Sequence, residues 1–201
     1  MAREFTTSLV RLSYVAVFDP RENQQGQKKY SVTCLLPKTD TEGYKNLMAA
    51  IKAEIESEKD GKLKGVIQPK IPVHDGDGAS PTGQAYGPEC QGHWVFTASA
   101  GENYPPAVMD TRVQPIMDRS QVYSGCWGHV ALSIYAYNNQ SKGIGLGLNG
   151  IQKVKDDEAL GFSFNANKAF SAIEDDETSA GGIDPSMLIF DKSSPHFFSM
   201  F

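Results

Sequence analysis

The segment CWGHVALSIYAY, residues 126–137, constrains the fold more than any other part of this chain. Apolar side chains alternate with other types over twelve positions, which is the period-2 pattern of a half-buried β-strand. The face that we expect to line a core consists of Gly128, Val130, Leu132 and Ile134. The opposite face carries Trp127, His129, Ser133, Tyr135 and Tyr137. A chain built around this strand is predicted to be mainly β.

Shorter segments with the same alternation predict further strands. Residues 8–18 and 29–36 predict two strands joined by a polar loop. In the first of them, the alternation places Tyr14 on the inner face with Val10 and Leu12. The inner face expected for the second strand consists of Tyr30, Val32, Cys34 and Leu36. Nineteen glycines and eleven prolines among 201 residues fit a fold with many turns. The remaining expected strands cover residues 66–73, 93–100, 106–117 and 144–155.

One amphipathic helix is predicted after the second strand. Thr39-Asp40-Thr41-Glu42 has the spacing of a capping box, and Asp60-Gly61 suits the end of the helix. The core-facing stripe follows helical spacing and consists of Tyr44, Leu47, Met48, Ile51 and Ile55. The face expected in solvent consists of Lys45, Lys52, Glu54, Glu56 and Glu58.

Charge divides the chain into two parts, although the net charge of the whole is −5. Residues 1–155 hold 17 Lys and Arg against 15 Asp and Glu, a net of +2, whereas residues 156–201 hold 2 against 9, a net of −7. We therefore expect one domain at 1–160 and an acidic flexible tail at 161–201. We expect the tail to compete with nucleic acid for cations and to bind partner proteins. Its candidate residues are Glu174, Asp175, Asp176, Glu177 and Phe201.

No motif predicts catalysis, a metal or a cofactor. The three cysteines and four histidines never fall at zinc-site spacing, and Asp75-Gly76-Asp77-Gly78 lacks the remaining ligands of a calcium loop. Gly145-x-Gly147-x-x-Gly150 matches the letters of a dinucleotide fingerprint, but a strand continues through it where a helix should open. The N-terminus shows no signal-peptide pattern, and no segment is apolar enough for lipid. These observations predict a cytoplasmic protein that is not an enzyme.

The exposed strand faces predict a surface for single-stranded nucleic acid. Aromatic rings interleaved with cations can stack on bases and contact phosphates, and each stacked base contributes roughly 1–3 kcal/mol. The first candidates for contact are Arg11, Lys28, Lys29, Trp127, Tyr135, Tyr137 and Lys142. The second are Trp94, Tyr104, Arg112, Tyr123 and Lys153.

The run VYSGCWGHVALSIYAYNNQSKGIGLGLNGIQKVKDDEALG, residues 122–161, resembles the signature segment of a bacteriophage family associated with single-stranded DNA binding. SLVRLSYVAVFDP and KKYSVTCLLPK resemble the usual beginning of that family. The tail resembles the acidic, Phe-terminated tails of T7-type phage single-strand binding proteins. The resemblance implies an OB-fold-like five-stranded β-barrel with one main helix. It also implies a role in phage DNA replication, recombination or repair, in the cytoplasm of the bacterial host.

Two other functions remain open at this stage. A protein-interaction or virion structural module would use the aromatic face as a subunit interface, and a metal-dependent nuclease would cleave DNA with magnesium. The sequence leaves open DNA against RNA and the oligomeric state, a homodimer included. The predicted helix is also unusual for an OB-fold, because it follows the second strand instead of the third.

Overall fold

The computed structural model describes residues 2–23, 26–139 and 141–161. The predicted acidic tail, including Glu174, Asp175, Asp176, Glu177 and Phe201, lies outside these residues. Two short 3₁₀ turns, Pro88–Cys90 and Arg119–Gln121, interrupt the loops. The regular elements are β1 (Arg3–Thr6), β2 (Val10–Glu22), β3 (Lys28–Pro37), α1 (Thr41–Ser57), β4 (His74–Asp75), β5 (His93–Gly101), β6 (Ala107–Met109), β7 (Trp127–Asn138) and β8 (Lys142–Lys155).

Five of these strands close into a barrel in the order β2-β3-β5-β8-β7, with β7 returning to β2. All neighbours are antiparallel except β5 and β8, which pair in parallel through Ser99 and Gly147. Beside this narrow seam, the Lys70 carbonyl accepts a hydrogen bond from the Ile144 amide at 2.8 Å, and β4 pairs with β5. The barrel confirms the predicted OB-fold-like class, in which five strands form a partly open Greek-key barrel.

The barrel core confirms the inner faces predicted for β3 and β7. Every second residue of β7 is buried from Gly128 to Ala136, because a period-2 pattern sends every second side chain to the same side. In β3 the inner-face residues Val32, Cys34 and Leu36 are buried, while Tyr30 is half-buried. Leu47 and Ile51 of α1 are buried in the same core. The largest fully buried side chains are Phe96, Leu12, Leu35, Leu36, Leu47, Ile51, Leu132 and Ile134.

The helix departs from its predicted bounds and solvent face. Asp40 caps its N-terminus by accepting a hydrogen bond from the Gly43 amide at 2.8 Å, and the helix ends at Ser57, before Asp60-Gly61. Glu54 is buried, so its predicted place in solvent is wrong. The reason is its spacing, since Glu54 lies seven residues after Leu47 and shares the buried stripe.

Three further predictions about elements need correction. β1, which the sequence does not predict, pairs with β7 outside the closed ring. Because β1 is not a barrel strand, α1 connects the second and third strands of the barrel. The expected strand at 66–73 is wrong, because these residues form only an isolated bridge from Lys70 to Gly143, and the two-residue β4 follows at His74–Asp75. The expected strand at 106–117 is only Ala107–Met109, because the Asp110 side chain accepts hydrogen bonds from the Arg112 and Gln114 amides and turns the chain back.

Candidate functional site

An open groove crosses the outer surface of β2, β3 and β5, and we call this surface the groove face. Its floor carries small polar side chains. The hydroxyls of Thr33 and Thr97 lie 3.0 Å apart across two neighbouring strands, and Ser31 pairs with Ser99 beside them. Residues 72–90 form one wall. The space within the groove measures about 510 Å³, and its lining includes Tyr14, His74, Gln84 and Tyr86.

The wall is fixed to the barrel by charge and by close backbone contact. Lys38 Nζ donates hydrogen bonds to the Asp75 and Asp77 carboxylates, and these bonds hold the pKa of both carboxyls below their usual value. Asp77 also accepts from the Gly92 amide at 2.8 Å. A Cβ at position 76 would lie 2.1 Å from the Cys90 carbonyl oxygen, so only glycine fits there. The groove therefore has a preformed wall.

Tyr14 stands in this groove because β2 carries a β-bulge. Ser13 pairs with Thr33 and Ala16 pairs with Ser31, so β2 has one residue more than β3 over this interval. The extra residue breaks the alternation, and Tyr14 is 64% exposed. Its predicted place on the inner face is therefore wrong. A second cavity of about 250 Å³ shares Tyr14 and Glu89 with the first and is also lined by Ser13 and Ser124.

Three cations and one aromatic ring lie at one end of the groove face, where the β2–β3 hairpin closes. We call this group the hairpin end, and it consists of Arg21, Lys28, Lys29 and Tyr104. Lys29 pairs with Arg21 on one side and with Gly101 on the other, and the Tyr104 ring lies beside Gly101. Lys28 contacts Glu102 at 3.8 Å, with both side chains more than half exposed, so this ion pair contributes little. The structure thus brings the predicted Lys28, Lys29 and Tyr104 together, and it adds Arg21.

Four other predicted residues lie in a separate cluster where the chain leaves β8, which we call the exit patch. It consists of Arg11, Tyr123, Trp127, Lys153 and Lys155, together with the segment Asp156-Asp157-Glu158. Arg11 donates to the Glu158 carbonyl at 2.7 Å, and Trp127 Nε1 donates to the Asp157 carboxylate at 2.7 Å. Lys153 meets Asp156 at 2.7 Å.

The acidic segment satisfies the donors of the exit patch. The Lys153 and Tyr123 hydrogen bonds hold the pKa of Asp156 below its usual value, and the Trp127 hydrogen bond does the same for the pKa of Asp157. Lys155 Nζ lies 4.9 Å from the centre of the Trp127 ring, within the range of a cation–π contact. Lys153 thus meets a carboxylate, Arg11 a backbone carbonyl and Lys155 the Trp127 ring, so the aromatic–cation pattern has partners within the chain.

Tyr135 and Tyr137 lie over the glycines of β8. A Cβ at Gly145 would come within 2.7 Å of the Tyr135 ring, and one at Gly143 within 2.9 Å of the Tyr137 hydroxyl. The fingerprint-like glycines therefore make room for rings and for neighbouring backbone, and β8 continues as a strand beyond Gly150. Lys142 Nζ donates to the Lys64 carbonyl at 2.8 Å.

Trp94 and Arg112 lie apart from these groups. The Trp94 ring stacks on Tyr44 of α1 with centroids 4.3 Å apart, and Lys38 lies 5.0 Å from its centre. Arg112 is exposed on the turn after β6. Within the described ranges, no three His, Cys, Asp or Glu side chains could hold a metal ion, and no helix is long and apolar enough to cross a membrane.

Comparison with known proteins identifies relatives of the whole barrel. The family model described as Enterobacter phage Enc34, ssDNA-binding protein, matches residues 3–180. A single-stranded DNA-binding protein from bacteriophage Enc34, solved in complex with ssDNA, is 29% identical with a TM-score of 0.66, over 79% of this chain and 89% of that chain. A second structure of the bacteriophage Enc34 protein gives 28% identity and a TM-score of 0.63, over 79% of this chain and 84% of that chain.

Two further matches extend the comparison. Putative protein p50 of Acyrthosiphon pisum secondary endosymbiont phage 1 is 29% identical over 160 residues, which is 75% of this chain and 83% of that protein. The bacteriophage T7 single-stranded DNA-binding protein gp2.5 is 14% identical with a TM-score of 0.56, over 90% of this chain and 100% of that chain. The T7 likeness shows a shared fold alone. The family resemblance seen in residues 122–161 is confirmed.

Proposed function

This chain belongs to the family of the single-stranded DNA-binding protein of Enterobacter phage Enc34, and we propose that it binds single-stranded DNA along the groove face. The position of the groove indicates where on the barrel the DNA binds. The preformed groove lies across β3 and β5, the second and third strands of the closed barrel. OB-folds bind oligonucleotides on the face of these two strands, between the loops that join strands 1–2 and 4–5.

The chemistry of the groove face suits bases at the centre and phosphates at the end. Thr33 and Thr97 offer uncharged hydroxyls, which can hydrogen-bond to base edges without adding the positive charge that would hold a phosphate there. At the hairpin end, Lys28, Lys29 and Arg21 supply the positive charge that a phosphate backbone needs. A strand that enters over the hairpin end would thus place its bases towards the Thr33–Thr97 floor.

In this role the protein coats single strands and protects them during phage DNA replication, recombination or repair. We place its action in the cytoplasm of the bacterial host, and we assign it binding without a catalytic step. Near-neutral charge on residues 1–155 fits a binder that relies on stacking and shape as well as on cations.

A titration of fluorescent oligo-dT, with and without magnesium, tests this proposal. We expect salt-sensitive binding and an intact oligonucleotide in both conditions. Thr97→Glu, which puts a negative charge on the groove floor, should weaken binding at least tenfold. Ala53→Glu adds the same charge on the exposed face of α1 and should leave affinity within twofold.

Cleavage with magnesium would favour a nuclease, and the absence of salt-sensitive binding would favour an interaction module. Either result would overturn the proposed function. Equal weakening in both variants would instead move the binding surface away from the groove face. A parallel titration with oligo-rU decides between DNA and RNA.

A further inference from the structure

The backbone of Tyr14 adopts a conformation that residues other than glycine rarely adopt. Its φ is +47°, in the left-handed region, where a Cβ crowds the neighbouring carbonyl oxygen. Val113, in the turn after β6, is the other described non-glycine residue with positive φ. Such strain persists where the surrounding structure imposes it, and it concentrates at ligand-binding sites.

Contacts from the segment before β7 hold the bulge in place. Val15 donates its amide to the Ser124 hydroxyl at 3.2 Å, and Leu12 exchanges backbone hydrogen bonds with Gly125 and Cys126. These bonds fix the backbone on both sides of Tyr14. The side chain itself is 64% exposed and belongs to no buried cluster of the described residues, so core packing does not explain a tyrosine at a strained position.

The Tyr14 ring lines two cavities at once. The larger, of about 510 Å³, has the Thr33–Thr97 floor and Tyr86 in its wall. The smaller, of about 250 Å³, contains Ser13, Ser124 and Arg21. Arg21 there is a cation within reach of a phosphate, whereas the described lining of the larger cavity includes no lysine or arginine.

We propose that Tyr14 separates two base-binding subsites, so that successive bases of a single strand stack against its ring, one in each cavity. This inference rests on the proposed function and names the residue that organises the groove. The bulge turns the ring out of the core, and the strained backbone is retained because it presents that ring to DNA.

Replacing Tyr14 tests binding and stability together. Tyr14→Gly removes the ring and relieves the strain, so we expect affinity for oligo-dT to fall about 5- to 150-fold, which corresponds to roughly 1–3 kcal/mol of stacking. The denaturant midpoint of the variant should equal or exceed that of the unmodified chain. Tyr14→Phe keeps the ring and should bind within about threefold. Tyr14→Asn, a residue that tolerates this backbone region, replaces the glycine variant if that variant does not fold.

An oligonucleotide of the same length with abasic sites throughout separates stacking from phosphate contact. The unmodified chain should bind it far more weakly than oligo-dT, and its advantage in affinity over the Tyr14→Gly variant should fall below twofold. If Tyr14→Gly binds oligo-dT as well as the unmodified chain does, or if the advantage persists on the abasic strand, the inference is wrong while the proposed function stands. If the unmodified chain binds no single strand, the proposed function itself fails.

Discussion

The groove face and the exit patch both combine aromatic rings with cations, but in the exit patch these side chains already have partners within the chain. In the exit patch, Trp127 and Lys153 bind carboxylates of the segment that follows β8. On the groove face, Tyr14 is mostly exposed beside open cavities. The comparison shows that residue type alone does not mark a binding surface. What matters is whether the chain already supplies partners for the donors and rings.

The largest effect expected from this difference is on stability. Trp127→Ala removes a half-buried ring, its hydrogen bond to Asp157 and its contact with Lys155, so the free energy of unfolding should fall by about 2–4 kcal/mol. Chemical denaturation measures this decrease. Oligo-dT affinity, taken where the variant is fully folded, should change less than twofold.

The converse result would reverse the comparison. A Trp127→Ala variant with unchanged stability and a tenfold weaker affinity would show that the exit patch opens to bind DNA, as the sequence predicts for Trp127, Arg11, Tyr123 and Lys153.

Much of the barrel could be predicted from the sequence, because regular alternation determines which side of a strand is buried. The inner faces of β3 and β7 follow from it directly. The β2 bulge does not, since one extra residue leaves local composition unchanged while it turns Tyr14 from core to groove. The position of α1 between the second and third barrel strands follows from the order of elements, whereas β1 is too short to show a pattern.

The candidate site is harder to predict, because free and satisfied side chains look alike in a sequence. The ion pair between Lys153 and Asp156 spans three residues and could be noticed, but Arg11 reaches Glu158 across 147 residues. Composition alone suggests Lys28, Lys29 and Tyr104, and the closed barrel brings them to one end of the groove face. Their contact with DNA stays a prediction, as does that of Tyr135, Tyr137, Lys142, Trp94 and Arg112.

An intermediate effect is expected from the cations of the two regions. Replacing Lys28 and Lys29 by Ala should weaken binding to all sequences alike, because phosphate contacts carry no base preference. The slope of log K against log salt should become shallower by about 0.7 for each phosphate contact that the variant removes. The matched variant replaces Lys153 and Lys155, whose charges face Asp156 and the Trp127 ring, and it should leave the slope unchanged. Equal slope changes in the two double variants would contradict the distinction between hairpin-end lysines that contact phosphate and exit-patch lysines whose charges already have partners in the chain.

The smallest effect expected is a pH dependence confined to the exit patch. Hydrogen bonds from Lys153 and Trp127 lower the pKa of Asp156 and Asp157, respectively, relative to the unfolded chain. A carboxyl with a lowered pKa stabilises the folded state above its unfolded pKa of about 3.9, and this contribution is lost as pH falls through the folded pKa. We therefore expect the segment after β8 to loosen from Trp127 only below about pH 4.

Fluorescence emission of Trp127 reports this loosening in a Trp94→Phe background, where Trp127 is the single indole. Asp157→Asn should abolish the transition, whereas Asp19→Asn, which alters the exposed ion pair with Arg119, should preserve it. A transition at about pH 5 or above would mean that these carboxylates are not held by the exit patch, and the rings and cations there would then be free to bind DNA like those of the groove face.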